Sequence, residues 1–368
     1  MGLAPYGDNQ KYNNIFDKVV TTGGEIDIVK MDMSYFTWHT SDNDMFNDKL
    51  IDLIGFPPRF KDEPIEQHHK DLAASLQRWY ESALYFIINR ITNTWECENL
   101  VLGGGCAYNG TANGKIKQFT AIKNVFIPFA PSDSGSAIGA CLYHYHQTFG
   151  NPKVKGGDNQ SPYLGEEWTN PELLKIILQK RVRGNAIVMY ETPQVLCKEV
   201  ARLINEGNIV GWFQGRTEFG ARALGNRSIL GNPHLSDIRD RINKVVKKRE
   251  MFRPFAPSVT HEDYQKYFLS EEDVPYMNQV VKVKKDVNIP SVTHVDNSAR
   301  IQTLKREDNP LYYDLLKEFE KLTGTPILLN TSFNLKDHTM TNDPQKAIWT
   351  FHNCDMDYLV LGKFLISK

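Results

Sequence analysis

Along the chain, short apolar runs alternate with longer stretches whose apolar positions recur every three or four residues. The first pattern predicts buried strands and the second amphipathic helices. Asn99–Leu102, Asn124–Phe129, Ile209–Phe213, Pro326–Leu329, Asp357–Leu361 and Lys363–Ile366 read as strands. Glu66–Ile91 carries Leu72, Leu76, Trp79, Leu84, Ile87 and Ile88 as one stripe and reads as a long helix. Ala112–Lys117, Ala137–Tyr145, Glu191–Glu206, Asp237–Arg249, Leu311–Leu322 (ended by Gly324) and Asp343–Phe351 (Pro344 in its first turn) read as further helices. Residues 9–62 are polar and aromatic-rich, with strand-like pieces at Glu25–Met31 and Ser34–Trp38. Loop-forming residues gather over 147–185 around a lone helix, Pro171–Gln179. Strands alternating with helices predict two α/β domains in series.

Bulk properties narrow the function. The 368 residues suffice for two cores, and the 41% hydrophobic and 24% charged residues are ordinary for a globular chain. A net charge of −1 implies no general attraction to nucleic acid or anionic membrane, so any anion site must be local. The five cysteines are scattered without a CxxC pair, which argues against a disulfide scaffold or a cysteine zinc site and for a reducing, cytoplasmic compartment. No apolar run approaches the roughly 18 residues of a membrane helix. The opening MGLAPYGD is a tight turn with nothing to join, which suggests that an upstream part was cut away or comes from another chain.

Candidate chemistry centres on Gly211–Arg227, GWFQGRTEFGARALGNR. Arg216, Arg222 and Arg227 sit with Glu218 among Gly215, Gly220 and Gly225. Forked guanidinium groups match phosphate or carboxylate oxygens in pairs. The preceding strand should deliver them to a helix start, where open α/β sheets bind ligands. An ion-pair network is the bland alternative, weakened because Glu218 is the one acid nearby. Arg253 is held at a fixed angle by the extended segment that Pro254 and Pro257 rigidify, and Arg300 opens an alternating strand. Asn330, Ser332 and Asn334 crowd a strand end. Lys247 and Lys248 offer point charges at a helix end, where basic residues also serve the dipole. Gly103, Gly104, Gly105 and Asn109 follow a strand, as in a phosphate cradle or a tight helix packing. Asp133 reads equally as a metal ligand or a helix cap. His68 and His69 are helix neighbours about 100° apart, a poor arrangement for chelation. There is no Walker A motif.

Eight stretches in order resemble the O-carbamoyltransferase family, which includes nodulation-factor and antibiotic-tailoring enzymes: MGLAPYG, DLAASLQ, LGGGCAYNGTAN, FIPFAPSDSGSAIGA, GWFQGRTEFGARALGNRSIL, RPFAPSV, HVDNSARIQT and GTPILLNTSFN. The resemblance implies a partial actin/sugar-kinase-like domain, akin to threonylcarbamoyl transferases, over 1–165. A linker at 166–185 and a YrdC-like α/β domain with a twisted sheet over 186–368 would follow. It implies that carbamoyl phosphate and ATP form carbamoyl-adenylate, from which the carbamoyl group passes to a hydroxyl of a small-molecule or sugar acceptor. In that scheme Arg216, Arg222, Arg227 and Arg253 would be catalytic. Glu218, Lys247, Lys248, Arg300, Asn330, Ser332 and Asn334 would bind carbamoyl phosphate and ATP. Gly103–Gly105 and Asn109 would bind nucleotide, and Asp133 would ligate a metal. The cofactors implied are ATP and Mg2+, with Fe2+ or another divalent ion if the family's N-terminal lobe, absent here, is supplied. A second polypeptide would supply that lobe, and a homodimer is compatible. Asn297 stands where the family usually has glycine. A tRNA threonylcarbamoylation-type enzyme and a non-catalytic nucleotide-binding subunit are the rival readings.

Overall fold

The computed structural model describes residues 1–24, 28–60, 63–153, 161–179 and 186–368. The chain gathers into two compact units: Met1–Leu100 with Lys115–Val125, and Val101–Gly114 with Phe126–Lys368.

The first unit is built on the helix Gln67–Trp95, longer than its periodicity predicted at the C-terminal end. Ala74, Tyr85 and Ile88 form a buried apolar stripe, and Tyr85 stacks on Phe119 at 5.1 Å. The N-terminal turn lies on this helix. Asp71, buried, accepts from the Asp8 amide and from Lys11 Nζ, each at 2.9 Å. A Cβ on Gly7 would stand 2.1 Å from the Lys70 carbonyl oxygen, so the close approach of two backbones demands glycine there. Two readings need correction. Ser34–Trp38 is not a strand: Met33–Tyr35 is a short 3-10 turn, because Asp32 caps the Ser34 amide at 2.9 Å. Of Glu25–Met31, Val29–Met31 is a strand, and 25–27 lie outside the described residues. The helical angle also fails to separate His68 and His69, whose Nε2 atoms meet at 3.1 Å under the Phe56 ring. His69 Nδ1 accepts from the Glu66 amide at 2.9 Å. Neutral His69 therefore carries its proton on Nε2 and donates it to His68. The pair is a hydrogen bond rather than a chelate, since a metal would need both Nε2 lone pairs.

The second unit holds an eight-stranded mixed sheet. In chain order its strands are β1 (Ile187–Met189), β2 (Val210–Phe213), β3 (Arg227–Gly231), β4 (Ala256–Thr260), β5 (Gln302–Leu304), β6 (Ile327–Ser332), β7 (Tyr358–Leu361) and β8 (Phe364–Ser367). Their spatial order is β5-β4-β6-β3-β2-β7-β8-β1. The pairs β5/β4 and β7/β2 are parallel, and the others are antiparallel. Side chains alternate between two cores. Val210, Trp212, Leu230, Leu328 and Val360 meet the helices Pro193–Asn205 and Pro310–Thr323 on one face. Phe213, Ile229, Ile327, Leu329, Leu359 and Leu361 meet Ile238, Ile242, Val246 and the helix Pro344–His352 on the other. Burial on both faces explains why the strands read as continuous apolar runs.

Several boundaries move. The predicted helix at Ala112–Lys117 is two short turns, Gly110–Asn113 and Ile116–Phe119, interrupted at Gly114. Helix Asp133–Tyr143 starts earlier than predicted, and Asp237–Arg249 becomes the turn Ile238–Arg241 with a π-type segment Ile242–Lys247. The largest correction concerns the arginine stretch. After β2 it does not enter a helix but runs as an irregular loop over 214–226 and returns antiparallel as β3.

Candidate functional site

The loop between β2 and β3 has no regular structure, so side chains must satisfy its backbone. Glu218 Oε1 accepts from the amides of Leu224 (2.7 Å), Asn226 (2.9 Å) and Arg227 (3.2 Å). Trp212 Nε1 donates to the Gly225 carbonyl at 2.9 Å. Gln302 Nε2 (2.9 Å) and Tyr163 Oη (2.8 Å) both donate to the Leu224 carbonyl, and Asn330 Nδ2 donates to the Ala223 carbonyl at 3.4 Å. Gly225 has φ +108°, and a Cβ there would stand 2.2 Å from the Tyr312 ring. The second half of the loop, Ala223–Asn226, is thus a buried, fixed support.

Arg227 belongs to that support. It is fully buried with its guanidinium over the Phe213 ring at 3.6 Å. Its Nη atoms donate to the carbonyls of Gln214, Gly215 (3.0 Å), Asn226 (3.1 Å) and Glu166 (3.3 Å). Burial pulls it down to about 10. Arg216 is exposed, 3.6 Å from Glu167. Arg222 is different. It lies on the Tyr108 ring at 5.3 Å, and burial lowers its proton affinity. Burial acts first on Arg300 as well, followed by the like charges of Arg222 and Arg249. Arg249, brought down to about 10 by burial and by Arg253, spans from Asn243 Oδ1 (2.8 Å) to the Phe255 ring (4.8 Å). Arg300 is therefore buried within reach of two guanidiniums of its own sign, with no carboxylate among the described residues offsetting them.

Lys247 is buried beside them. Its Nζ donates to Asn334 Oδ1 (2.7 Å), the Asn334 carbonyl (3.0 Å), Ser332 Oγ (3.2 Å) and the Ser332 carbonyl. Burial, then Arg249, drives its proton affinity well down. Asn330 lies in a buried network with Ser258 Oγ (3.0 Å) and Gln302 Oε1 (3.1 Å). Arg253 is exposed and paired with Glu250 at 2.9 Å, and Lys248 is exposed in a left-handed conformation, φ +46°.

Gly104 takes φ +88° and donates its amide to the Pro131 carbonyl at 2.6 Å, and a Cβ on Gly104 or Gly105 would meet only open space. Asn109 caps the Ala112 amide at 3.3 Å. Asp133 is exposed in the first turn of its helix. Among the described residues, no group of three or more His, Cys, Asp or Glu is placed to hold a metal. One exposed carboxylate does not make a metal site, so no chemistry is routed through one. Arg249, His294 and Tyr108 escaped the sequence reading: Arg249 passes for a helix-end charge, and no local pattern links Tyr108 to Arg222.

Residues 1–142 match the family model "Carbamoyltransferase N-terminus" and 201–368 match "Carbamoyltransferase C-terminus". The chain belongs to the carbamoyltransferase family. Nodulation protein NolO of Bradyrhizobium diazoefficiens is 36% identical over all of this chain and 65% of its own length. The uncharacterized protein sll1178 of Synechocystis is 38% identical over all of this chain and 63% of its own length. The 3'-hydroxymethylcephem-O-carbamoyltransferase of Amycolatopsis lactamdurans is 33% identical over 72% of this chain and 48% of its own length. This carbamoyltransferase-family chain thus spans between about half and two-thirds of these relatives. Full-length HypF, in its phosphate- and nucleotide-bound form, gives a TM-score of 0.33 at 15% identity over 65% of this chain and 27% of that one, too slight a likeness to carry an argument. Among the described residues no helix is long and apolar enough to cross a membrane.

Proposed function

We propose that the second unit is a YrdC-like centre that makes carbamoyl-adenylate from carbamoyl phosphate and ATP, for transfer to a hydroxyl of a small-molecule or sugar acceptor. With one water, the overall change releases phosphate and pyrophosphate and forms one bond between a carbamate oxygen and the α-phosphorus. The carrying observation is that Arg300 lies within reach of the like charges of Arg222 and Arg249, while Arg222 Nε and Arg300 Nε are both buried without a hydrogen-bond partner among the described residues. Like charges so placed destabilise the empty site and favour a multiply anionic ligand. Both substrates bring clustered phosphate charge. Arg222 and Arg300 would hold phosphate oxygens. Lys247 would fix the Ser332–Asn334 turn beside them, while Arg216 and Arg253 meet the triphosphate at the rim. Arg227 and Glu218 would act through the loop that presents Arg222. Mg2+ would accompany ATP, and the glycine turn at 103–105 would receive the nucleotide for transfer, with a second polypeptide supplying the rest of the transfer site.

The test is pyrophosphate release from ATP with carbamoyl phosphate by this chain, with Arg222→Ala as control. Release that vanishes in Arg222→Ala supports the reading. A folded chain that neither binds ATP nor releases pyrophosphate sinks it.

A further inference from the structure

His294 donates its backbone amide to the Ser298 carbonyl at 2.7 Å, closing a tight turn ahead of the short strand Ser298–Arg300. Asn297, at φ +60°, takes the left-handed corner of that turn. Inside it the side chains form a chain of hydrogen bonds with a fixed direction. Ser298 Oγ donates to Asp296 Oδ1 at 2.6 Å, so its proton is committed. The 3.1 Å contact between His294 Nδ1 and Ser298 Oγ must then be an N–H donated by the histidine. That fixes the neutral tautomer and leaves the lone pair on Nε2. This Nε2 is buried and has no partner, and burial, with Arg300 opposing protonation, holds the ring down to about 4. On a strand, residues two apart face the same way, so Ser298, which orients the histidine, shares a face with Arg300. Arg300 Nε is likewise buried without a partner.

A buried unmatched acceptor beside a buried unmatched donor is costly unless a ligand completes both. Phosphate completes only the donor, since at neutral pH its oxygens chiefly accept. A carbamoyl group presents a carbonyl acceptor and an amide donor on the same carbon. We propose that His294 is the specificity-determining residue of the site: its Nε2 accepts from the carbamoyl –NH2 while Arg300 donates to the carbonyl oxygen. His294 thereby distinguishes carbamoyl phosphate from acyl phosphates of the same shape. This rests on the carbamoyl phosphate reading above and adds the residue that selects the carbamoyl end. Every cation of the site is a donor, so such selection requires an acceptor.

Acetyl phosphate is the probe, because a methyl replaces –NH2 at nearly constant volume. Affinities for carbamoyl phosphate, acetyl phosphate and inorganic phosphate are measured calorimetrically on the full chain, as wild type, His294→Leu and His294→Gln. The wild type is expected to prefer carbamoyl over acetyl phosphate by about 10- to 100-fold. His294→Leu is expected to bring that ratio toward 1 while inorganic phosphate binds as before. His294→Gln, which keeps an acceptor, is expected to restore part of the ratio, and it carries the test alone if His294→Leu does not fold. An unchanged ratio in a His294→Leu chain that still binds phosphate overturns the proposal, as does a wild type that binds both acyl phosphates equally. A wild type that binds neither defeats the carbamoyl phosphate reading itself.

Discussion

Lys247 Nζ lies 2.7 Å from Asn334 Oδ1, and the same ammonium also holds the Asn334 carbonyl at 3.0 Å. A lysine on a π-type segment therefore shapes the turn that follows β6. Lys247→Met keeps the volume and removes every donor. The turn at Ser332–Asn334 should loosen, with a loss of about 2–4 kcal/mol in urea unfolding. Binding of carbamoyl phosphate should weaken by at least tenfold, and Lys248→Met, altering an exposed side chain, should change neither.

Glu218 separates charge from geometry. Its Oε1 serves three amides, which Glu218→Gln can still satisfy and Glu218→Ala cannot. The alanine variant should lose about 3 kcal/mol of stability and the glutamine variant less than half of that. Equal losses in the two would mean that the negative charge, acting on Arg227, is what matters.

Arg222 and Arg227 are five positions apart with opposite expected phenotypes. Arg227→Met removes a buried donor from four carbonyls, two of which (Asn226 and Glu166) keep a backbone amide donor, and should cost about 3–5 kcal/mol, seen as a lowered Tm. Arg222→Ala relieves like-charge repulsion toward Arg300, so its Tm should hold or rise while phosphate binding is lost. A drop in Tm for Arg222→Ala as large as for Arg227→Met would contradict the division of roles.

Acid should act on His294 and Asp71 in different windows. His294 is held at about 4 against an ordinary 6.5, so the unfolded chain binds its proton first. Its contribution is complete above about 6.5 and is lost as pH falls toward 4, up to about 3 kcal/mol. Asp71, pulled down to about 2 by the Asp8 amide and then by Lys11, contributes fully above about 4 and is lost only between about 4 and 2. Amide exchange should therefore show the turn around His294 weakening between about pH 6.5 and 4, and the contact of Asp71 with the Asp8 amide weakening only below about 4. His294→Gln should remove the upper transition, and Asp71→Asn the lower.

The hydrophobic pattern already determined much of this protein. Unbroken apolar runs located β2, β6, β7 and β8, because burial on both faces leaves runs such as Val210–Phe213 and Ile327–Leu329, and period-3.6 signals located the helices packed on them; β1, β3 and β4 were not marked this way. Glycines were legible where backbone geometry requires them, as at Gly225 and Gly7. The ordered motifs identified the family, which the matches over 1–142 and 201–368 established. Asn297 in place of glycine also makes local sense, since asparagine tolerates the left-handed corner better than other side chains.

Only the tertiary structure could sort the arginines. In sequence Arg216, Arg222 and Arg227 are equivalent charges among glycines. In space one is exposed, one lies within reach of Arg300, and one is consumed by the carbonyls of its own loop and of Glu166. Nor could the sequence show that the loop bypasses a helix, because the groups that replace its backbone hydrogen bonds come from Trp212, Gln302, Tyr163 and Asn330. Periodicity records which faces are buried against something. It does not record which distant side chain completes a hydrogen bond or leaves a charge unmatched, and that pairing defines the site.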